Sequence, residues 1–240
     1  MHHKLNLRDI DVDGAVRETA SEAMEALDGD TRSSFLRRAG LAGGAMVGGG
    51  ALLGALAQNA LAFSTGDRPP AKFGAGDIGI LNYALTLEYL ESSFYNEATS
   101  NQHKYAFIKD YQTRIFLSAV TGDENEHVKA LKKVLGSHAV QKPKFDFHGD
   151  TSNETAFQTA AFTFENLGVH AYSGQAFNIK NPKVLAAALS IVTVEARHAS
   201  VIGLIRNRSD YGITPNGAFD KPLGASKVLA AVNSTHYIQS

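Results

Sequence analysis

The sequence predicts an all-α protein built as a bundle of four long helices, and three observations carry this prediction. After residue 76, apolar residues recur at three-to-four spacing in four separate stretches, each about twenty residues or longer. The same region contains no convincing strand pattern, internal repeat or low-complexity tract. The chain has 240 residues, of which 44% are hydrophobic, and this is enough for one sizeable core.

The composition excludes several classes of function. With 23 basic and 24 acidic side chains the formal net charge is −1. The chain therefore lacks the overall excess of positive charge that favours binding to nucleic acid or to an anionic membrane surface. The chain contains no cysteine, which excludes disulfides, cysteine-based zinc sites, iron–sulfur clusters and a thiol nucleophile. Histidine, aspartate and glutamate are therefore the strong metal ligands that it offers.

Residues 1–62 are predicted to be an export signal. The stretch 39–62 is uncharged, contains seven glycines and ends in Ala60-Leu61-Ala62, a small-x-small pattern typical of signal-peptidase sites. Four residues just before it match the twin-arginine signal pattern: Arg32, Phe35, Leu36 and Arg37. Ser33 stands where that pattern has its second arginine, which leaves general secretion open.

The alternative for this segment is a retained membrane anchor, since about 20 apolar residues span a bilayer. In either case we expect the remainder of the chain to lie outside the cytoplasm of a bacterial cell, in the periplasm or another extracytoplasmic space. The export machinery is then an expected partner.

Residues 63–76 are a linker rich in glycine and proline, and the first helix is predicted to begin with Asp77 as its cap. The inner face of this helix contains Leu81, Ala84, Glu88, Glu91 and Tyr95. The second helix is predicted at 108–135 and ends before Gly136. Its inner face contains Leu117, Val120, Glu124, His127, Leu131 and Val134. Both apolar faces are therefore interrupted by ionisable groups.

An extended connection at 137–150 leads to a third helix, predicted at 152–177 behind a capping box of Thr151 and Glu154. Its inner face contains Ala161, Glu165, Gly168 and Tyr172. The fourth helix is predicted to begin with Asn181 as cap and Pro182 in its first turn. Its inner face contains Leu185, Ala188, Val192, Glu195, His198, Ile202 and Ile205. The bundle thus covers 77–207, and the tail 208–240 is expected to pack on its end through residues 227–232.

Each of the four inner faces contains a carboxylate, and two contain Glu-x-x-His, at Glu124/His127 and Glu195/His198. A glutamate and a histidine three residues apart project from the same side of a helix, so both can reach one metal ion. A lone carboxylate in an apolar core costs several kcal/mol unless it is paired or coordinates a metal. A pair of divalent cations accounts best for this pattern, and a hydrogen-bonded polar network without metal is the alternative.

Four segments resemble the exported ferritin-like domain family, which includes plant desiccation-related proteins: 77–98, 123–135, 164–176 and 194–205. The resemblance covers about 77–232 and implies a ferritin-like antiparallel four-helix bundle with a short C-terminal extension and a dinuclear metal centre. The ligands that it implies are Glu88, Glu124, His127, Glu165, Glu195 and His198. In one arrangement of such centres, Glu124 and Glu165 bridge the two ions and each histidine binds one. Glu91 also faces inward, so the choice between Glu88 and Glu91 stays open, with Glu91 as an extra ligand or a partner of the ligands.

A carboxylate-rich site with one nitrogen ligand per ion favours iron or manganese over zinc and copper. The resemblance and the donor set together lead us to expect a dinuclear iron or manganese oxidoreductase that reacts with oxygen or hydrogen peroxide, with oxidase, ferroxidase-like or catalase-like activity. Two other hypotheses stay open: a non-catalytic envelope protein that protects against desiccation or stress, and iron storage in a closed cage of subunits. The sequence does not reveal the oligomeric state, and a homo-oligomer is one of the alternatives.

The remaining histidines are expected to lie outside the centre. His170 is expected to be a flank residue or a core histidine with satisfied ring nitrogens. Four others are expected to be solvated in loops or in the tail: His103, His138, His148 and His236. Three tyrosines are expected to be packing residues, the last also a candidate for a radical or proton relay: Tyr83, Tyr89 and Tyr172.

Overall fold

The structure is a computed structural model of the chain, and it describes residues 67–100, 106–207, 212–215, 217 and 220–239. The predicted export signal at 1–62 lies outside the described residues, as do the start of the predicted linker and His103. The described ranges include the whole of the predicted bundle at 77–207 apart from residues 101–105.

Four long helices dominate the described ranges, and the predicted all-α fold is confirmed. They are α1 (Gly76–Ser100), α2 (Tyr111–Leu135), α3 (Glu154–Gln175) and α4 (Pro182–Asn207). A shorter helix, α5 (Ala225–Ser234), lies in the tail. Two strands of two residues each, β1 (Lys144–Phe145) and β2 (Ile238–Gln239), pair antiparallel. The expectation of no strand was wrong here, because a two-residue strand is too short to produce an alternating pattern.

The long helices form two antiparallel pairs, α1 with α2 and α3 with α4. The Asp77 carboxylate at the start of α1 accepts hydrogen bonds from the backbone N–H groups of Lys180 and Asn181, just before α4, at 2.9 and 2.8 Å. The Glu154 carboxylate at the start of α3 accepts from the N–H groups of Lys109 and Asp110, at 3.0 and 2.9 Å. Helices α1 and α4 therefore begin at one end of the bundle, and α2 and α3 at the other.

The segment 136–153 must consequently cross the length of the bundle, and a buried asparagine fixes its path. Asn82 donates from Nδ2 to the carbonyl oxygens of Phe73 and His138, both at 2.9 Å, and its Oδ1 accepts from the N–H of Val140 at 3.0 Å. One amide side chain thus satisfies backbone groups on both segments that pass over α1.

Two of the predicted helix N-caps were wrong. Asn153, not Thr151, is the N-cap of α3, and its Oδ1 accepts from the N–H of Ala156 at 2.9 Å. Thr151 instead donates its hydroxyl to Glu97 at 2.6 Å. Asp77 lies inside the first turn of α1, so the predicted cap at this residue was also wrong. The predicted cap Asn181 does accept from the N–H of Lys183 at 2.9 Å, ahead of Pro182.

An aromatic cluster fills one end of the bundle, and the tail packs into it. The rings of Phe94 and Phe157 stack with centroids 5.3 Å apart, and Phe94 meets Phe164 edge-on at 5.2 Å. Val228 and Val232 of α5 are buried in the same cluster. One predicted inner residue, Val134, is 58% exposed, because it lies in the last turn of α2, where a groove separates this helix from α4.

Within the described residues, one helix has the length and apolar composition needed to cross a membrane, over Pro182–Arg206. This stretch is α4, which carries buried Glu195 and His198 on its inner face. A helix that packs in the core of a bundle has the same apolar composition, so packing in the bundle explains the composition of α4.

Candidate metal centre

The middle turns of the four long helices bring six buried ionisable side chains to one place. Each helix contributes one carboxylate, and α2 and α4 add a histidine three residues further along. The carboxylates are at most 1% exposed and the histidines 8–9%. The six are Glu88, Glu124, His127, Glu165, Glu195 and His198.

Three carboxylates converge on one nitrogen of His127. Its Nδ1 lies 3.2 Å from Glu88 Oε2, 3.2 Å from Glu124 Oε2 and 3.3 Å from Glu195 Oε1. A single ring nitrogen carries at most one proton, so it cannot give each of the three oxygens a full hydrogen bond.

His198 occupies the corresponding position on the other side of the cluster. Its Nδ1 lies 3.1 Å from Glu165 Oε2 and 3.2 Å from Glu124 Oε1. Its Nε2 lies 3.1 Å from Oδ2 of Asp123, a half-exposed residue of α2. The sequence pattern did not single out Asp123, although its place directly before Glu124 was a possible signal.

The six side chains fall into two potential ligand groups. One contains Glu88, Glu124, His127 and Glu195, and the other contains Glu124, Glu165, Glu195 and His198. In each group every residue offers one atom, and these atoms lie within 4.8 Å of one another. Glu124 and Glu195 belong to both groups. The resemblance left the shared carboxylates open, and the arrangement that it offered, Glu124 with Glu165, differs from this pair in one residue.

The hydrogen bonding of the shared carboxylates fits a cation. Glu124 Oε1 and both carboxylate oxygens of Glu195 are buried and accept no hydrogen bond from the described residues, although Glu124 Oε1 and Glu195 Oε1 each lie within 3.3 Å of a histidine nitrogen. Three such oxygens would be costly unless a cation satisfies them. The absence of a side chain at Gly168 leaves room for the carboxylate of Glu195, because a Cβ atom at this position would lie 2.4 Å from Glu195 Oε2.

Two tyrosines donate hydrogen bonds to the outer carboxylates, Glu88 and Glu165, each of which belongs to only one ligand group. The two contacts have the same pattern, with a tyrosine on one helix and a glutamate on the other. Tyr172 of α3 donates its hydroxyl to Glu88 Oε1 of α1 at 2.5 Å, and Tyr95 of α1 donates to Glu165 Oε1 of α3. On both helices the glutamate precedes the tyrosine by seven residues. Tyr172 was expected mainly to pack, so this contact adds a role that spacing alone did not reveal.

The comparison with known families agrees with this geometry. The ferritin-like domain family matches residues 76–208, more than half of the chain. The chain belongs to the ferritin-like domain family. The ferritin-like domain begins with the first residue of α1 and ends one residue after α4. The predicted family is thereby confirmed, while its exported, desiccation-related branch stays a prediction. No curated protein matches the chain.

The centre of the ferritin-like domain is strongly acidic, and this shifts its pKa values. Burial, followed by the charge of Glu88, raises the pKa of Glu124 to about 7. Burial and the charge of Glu124 also raise the pKa of Glu195 well above its usual range. For Glu88, burial acts upward, but the hydrogen bond and charge of His127 outweigh it, so its pKa is lowered. A divalent cation would relieve the repulsion among these carboxylates.

The pKa values of both histidines respond to the same carboxylates. Burial lowers the pKa of His198, but the charge of Glu165 and the short contacts of the ring with Glu124 and Glu165 outweigh it and raise the pKa to about 11. The pKa of His127 is likewise raised against burial, by the carboxylates of Glu124, Glu195 and Glu88 that lie against its ring nitrogen. Without metal, the protons of these rings partly compensate the acidic charge.

Glu91 lies beside the ferritin-like centre but in neither ligand group. It is 3% exposed, and burial together with the charges of Glu195 and Glu124 raises its pKa well above the usual range. Of the two candidates on α1, the structure therefore brings Glu88 into a ligand group. Glu91 is held as a buried carboxyl next to the shared carboxylates.

The other histidines of the described ranges lie away from the two groups. His170 is on α3, and burial lowers its pKa. The residue is half-buried and its Nδ1 has no hydrogen-bond partner among the described residues, so of the two expected alternatives the flank residue fits and the satisfied core histidine does not. His138, His148 and His236 are exposed, as expected. Tyr83 and Tyr89 are packing residues, buried in the two apolar clusters of the bundle.

Proposed function

We propose that this ferritin-like protein binds a dinuclear iron or manganese centre and uses it in redox chemistry with oxygen or hydrogen peroxide. The observation that carries the proposal is the membership of Glu124 and Glu195 in both ligand groups. Two adjacent ions need carboxylates that reach both of them, and these two occupy that position. Iron and manganese suit the donor set because four of its six side chains are carboxylates.

Each residue of the centre has a distinct task in this proposal. Glu88 and His127 would hold one ion, Glu165 and His198 the other, with Glu124 and Glu195 common to both. When bound, the ions supply electrons and Lewis acidity.

The neighbouring residues hold these ligands in place. The hydroxyl groups of Tyr172 and Tyr95 fix the outer carboxylates Glu88 and Glu165. Asp123 accepts the Nε2 proton of His198, so that Nδ1 presents its lone pair to the centre.

The metal content of the purified full chain tests the proposal. After expression with iron and manganese in the medium, we expect about two ions per chain by elemental analysis. The double variant Glu124→Ala/His127→Ala should lose them. Glu126→Ala is the matched control, because Glu126 lies between these two residues but is exposed and paired with Lys129. A content below about 0.2 ions per chain, unchanged in the double variant, would overturn the proposal.

Activity is tested on the same preparations. The metal-loaded chain should decompose hydrogen peroxide, or consume oxygen in the presence of a reductant, and the double variant should not. Glu126→Ala should retain the activity of the unaltered chain. Stoichiometric metal without any such turnover would overturn the redox part of the proposal and favour the non-catalytic, stress-protective role.

We also infer that the protein works outside the cytoplasm. The support is the sequence of residues 31–62, with its partial twin-arginine pattern, uncharged stretch and small-x-small end. These residues lie outside the described ranges.

A further inference from the structure

A groove runs along the seam between α2 and α4, on the side of the bundle that carries His198. Its volume is about 380 Å³, within the range of roughly 300–1,000 Å³ that small-molecule sites occupy. Because α2 and α4 are antiparallel, it extends from Gln112 and Leu204 at one end to Asp123 and Arg197 at the other. His198 lines this second end, so the groove gives solvent-side access to one histidine of the proposed centre.

The walls of the groove are apolar. Phe116, Val120 and Ile205 line it as buried residues. Ile115, Val201 and Leu204 also line it, and these side chains are 53%, 47% and 43% exposed. Aliphatic side chains exposed together along one concave surface mark a binding site more often than single apolar residues scattered over a surface.

The end beside the proposed centre is polar, and its two exposed charged side chains are of opposite sign. Asp123 and Arg197 line it together, so a cationic or an anionic head group would meet one like charge there. Arg197 supplies donors, and Asp123 supplies acceptors. The bond from His198 Nε2 to Asp123 Oδ2 uses only part of the acceptor capacity of that carboxylate. A hydroxyl group, which both donates and accepts, complements this pair.

We propose that the groove binds an apolar molecule with a hydroxyl head, an alcohol or a phenol. Its hydroxyl lies at Asp123 and Arg197, and its apolar body lies along Phe116 and Val201. The inference deepens the proposed function and rests on it, because it names the class of organic molecule that the chain holds next to His198.

Binding of 1-naphthol to the full chain tests this proposal. The chain has no tryptophan, so naphthol fluorescence can be followed without indole emission. We expect saturable binding of one naphthol per chain, with weaker binding of naphthalene, which lacks the hydroxyl, and of 1-naphthoate, which is charged. Ala119→Phe places a ring in the groove and should lower the affinity more than about tenfold. Ser118→Phe is the matched control, because Ser118 is exposed on the same helix and does not line the groove.

The head group is tested separately. Arg197→Met keeps an unbranched side chain but removes the donors, and it should reduce the preference for 1-naphthol over naphthalene. An unchanged preference would contradict the role given to Arg197. Equal naphthol affinity in Ala119→Phe and the unaltered chain would overturn the proposal. So would a dimer in sedimentation that Ala119→Phe dissociates, because the groove would then be covered by a second copy of the chain.

The metal content of each sample separates this proposal from the previous one. About two ions per chain with no naphthol binding would overturn the groove proposal alone. Naphthol binding that changes with the variants as expected, in a chain that takes up no metal, would overturn the proposed function and leave the binding site standing.

Discussion

His198 contacts acids with both ring nitrogens, Asp123 through Nε2 and Glu165 through Nδ1, each at 3.1 Å. A neutral imidazole has one N–H, so a bond from Nε2 to Asp123 leaves Nδ1 free to bind metal. We therefore expect Asp123→Ala to weaken metal binding by about 10–100-fold, measured by competition with a chelator. Glu126→Ala should bind metal as the unaltered chain does. Equal affinity in both variants would remove Asp123 from its positioning role.

Gly168 provides a second test at the level of one residue. A Cβ here would lie 2.4 Å from Glu195 Oε2, so Gly168→Ala should push the carboxylate of Glu195 away from both ligand groups. We expect a lower metal content, read by elemental analysis. At Gly122 of α2 a Cβ would meet nothing within 4 Å, so Gly122→Ala should keep the metal and stabilise the fold by about 0.5–1 kcal/mol. Full metal content in Gly168→Ala would contradict this account of the glycine.

Helical spacing predicts that the six side chains of the proposed centre lie on inner faces, and the family resemblance implies them as ligands. Spacing places Glu91 on the inner face as well, so it could not decide between Glu88 and Glu91. Glu-x-x-His brings Glu124 and His127 to one side of α2 whatever surrounds the helix. The hydrogen bond from His198 to Asp123 could not be predicted in this way, because it depends on which helix lies next to α2. The same holds for Tyr95 and Glu165, which belong to different helices.

At the scale of the helices, their existence was predictable and their ends were less so. Thr151 and Glu154 have the sequence of a capping box, but Asn153 lies between them and is the better cap in the extended backbone that precedes α3. Glu154 is then free to bind the backbone before α2. Such a contact joins residues 44 positions apart, and no local pattern shows it.

Asp77 joins the starts of α1 and α4, and this contact should contribute to stability. Asp77→Ala leaves the N–H groups of Lys180 and Asn181 without their acceptor. We expect a loss of about 1–2 kcal/mol in the free energy of unfolding, measured by urea denaturation of the metal-free chain. Asp77→Asn, which keeps one acceptor oxygen, should lose less. A loss in Asp77→Ala no larger than in Glu126→Ala would show that the contact contributes nothing.

At the scale of the whole molecule, the tail completes the bundle. Helix α5 buries Val228 and Val232 in the aromatic cluster, and Tyr237 donates its hydroxyl to Asp150 in the crossing segment. The apolar pattern of 227–232 predicts such packing, whereas the pairing of β1 with β2 depends on where the crossing segment runs. That route follows from α2 and α3 beginning at the same end of the bundle, and the periodic pattern along the chain does not show which ends meet.

The export signal is tested on the intact molecule. If residues 1–62 are removed during export, the mass of the protein recovered outside the cytoplasm should correspond to a chain that begins at Phe63. Arg32→Lys should reduce export by the twin-arginine route, whereas Arg38→Lys, outside the matched pattern, should not. Recovery of the uncut chain in the membrane fraction would indicate a retained anchor instead.

The division of the ligand groups between the two helix pairs has a consequence for folding. The α1–α2 pair carries Glu88, Glu124 and His127, but its group also needs Glu195 from α4. The α3–α4 pair likewise needs Glu124 from α2 to complete its own group. Neither helix pair alone can therefore form a complete ligand group. The proposed centre would bind its ions only after the two pairs have packed together, so metal uptake during refolding would measure that packing step.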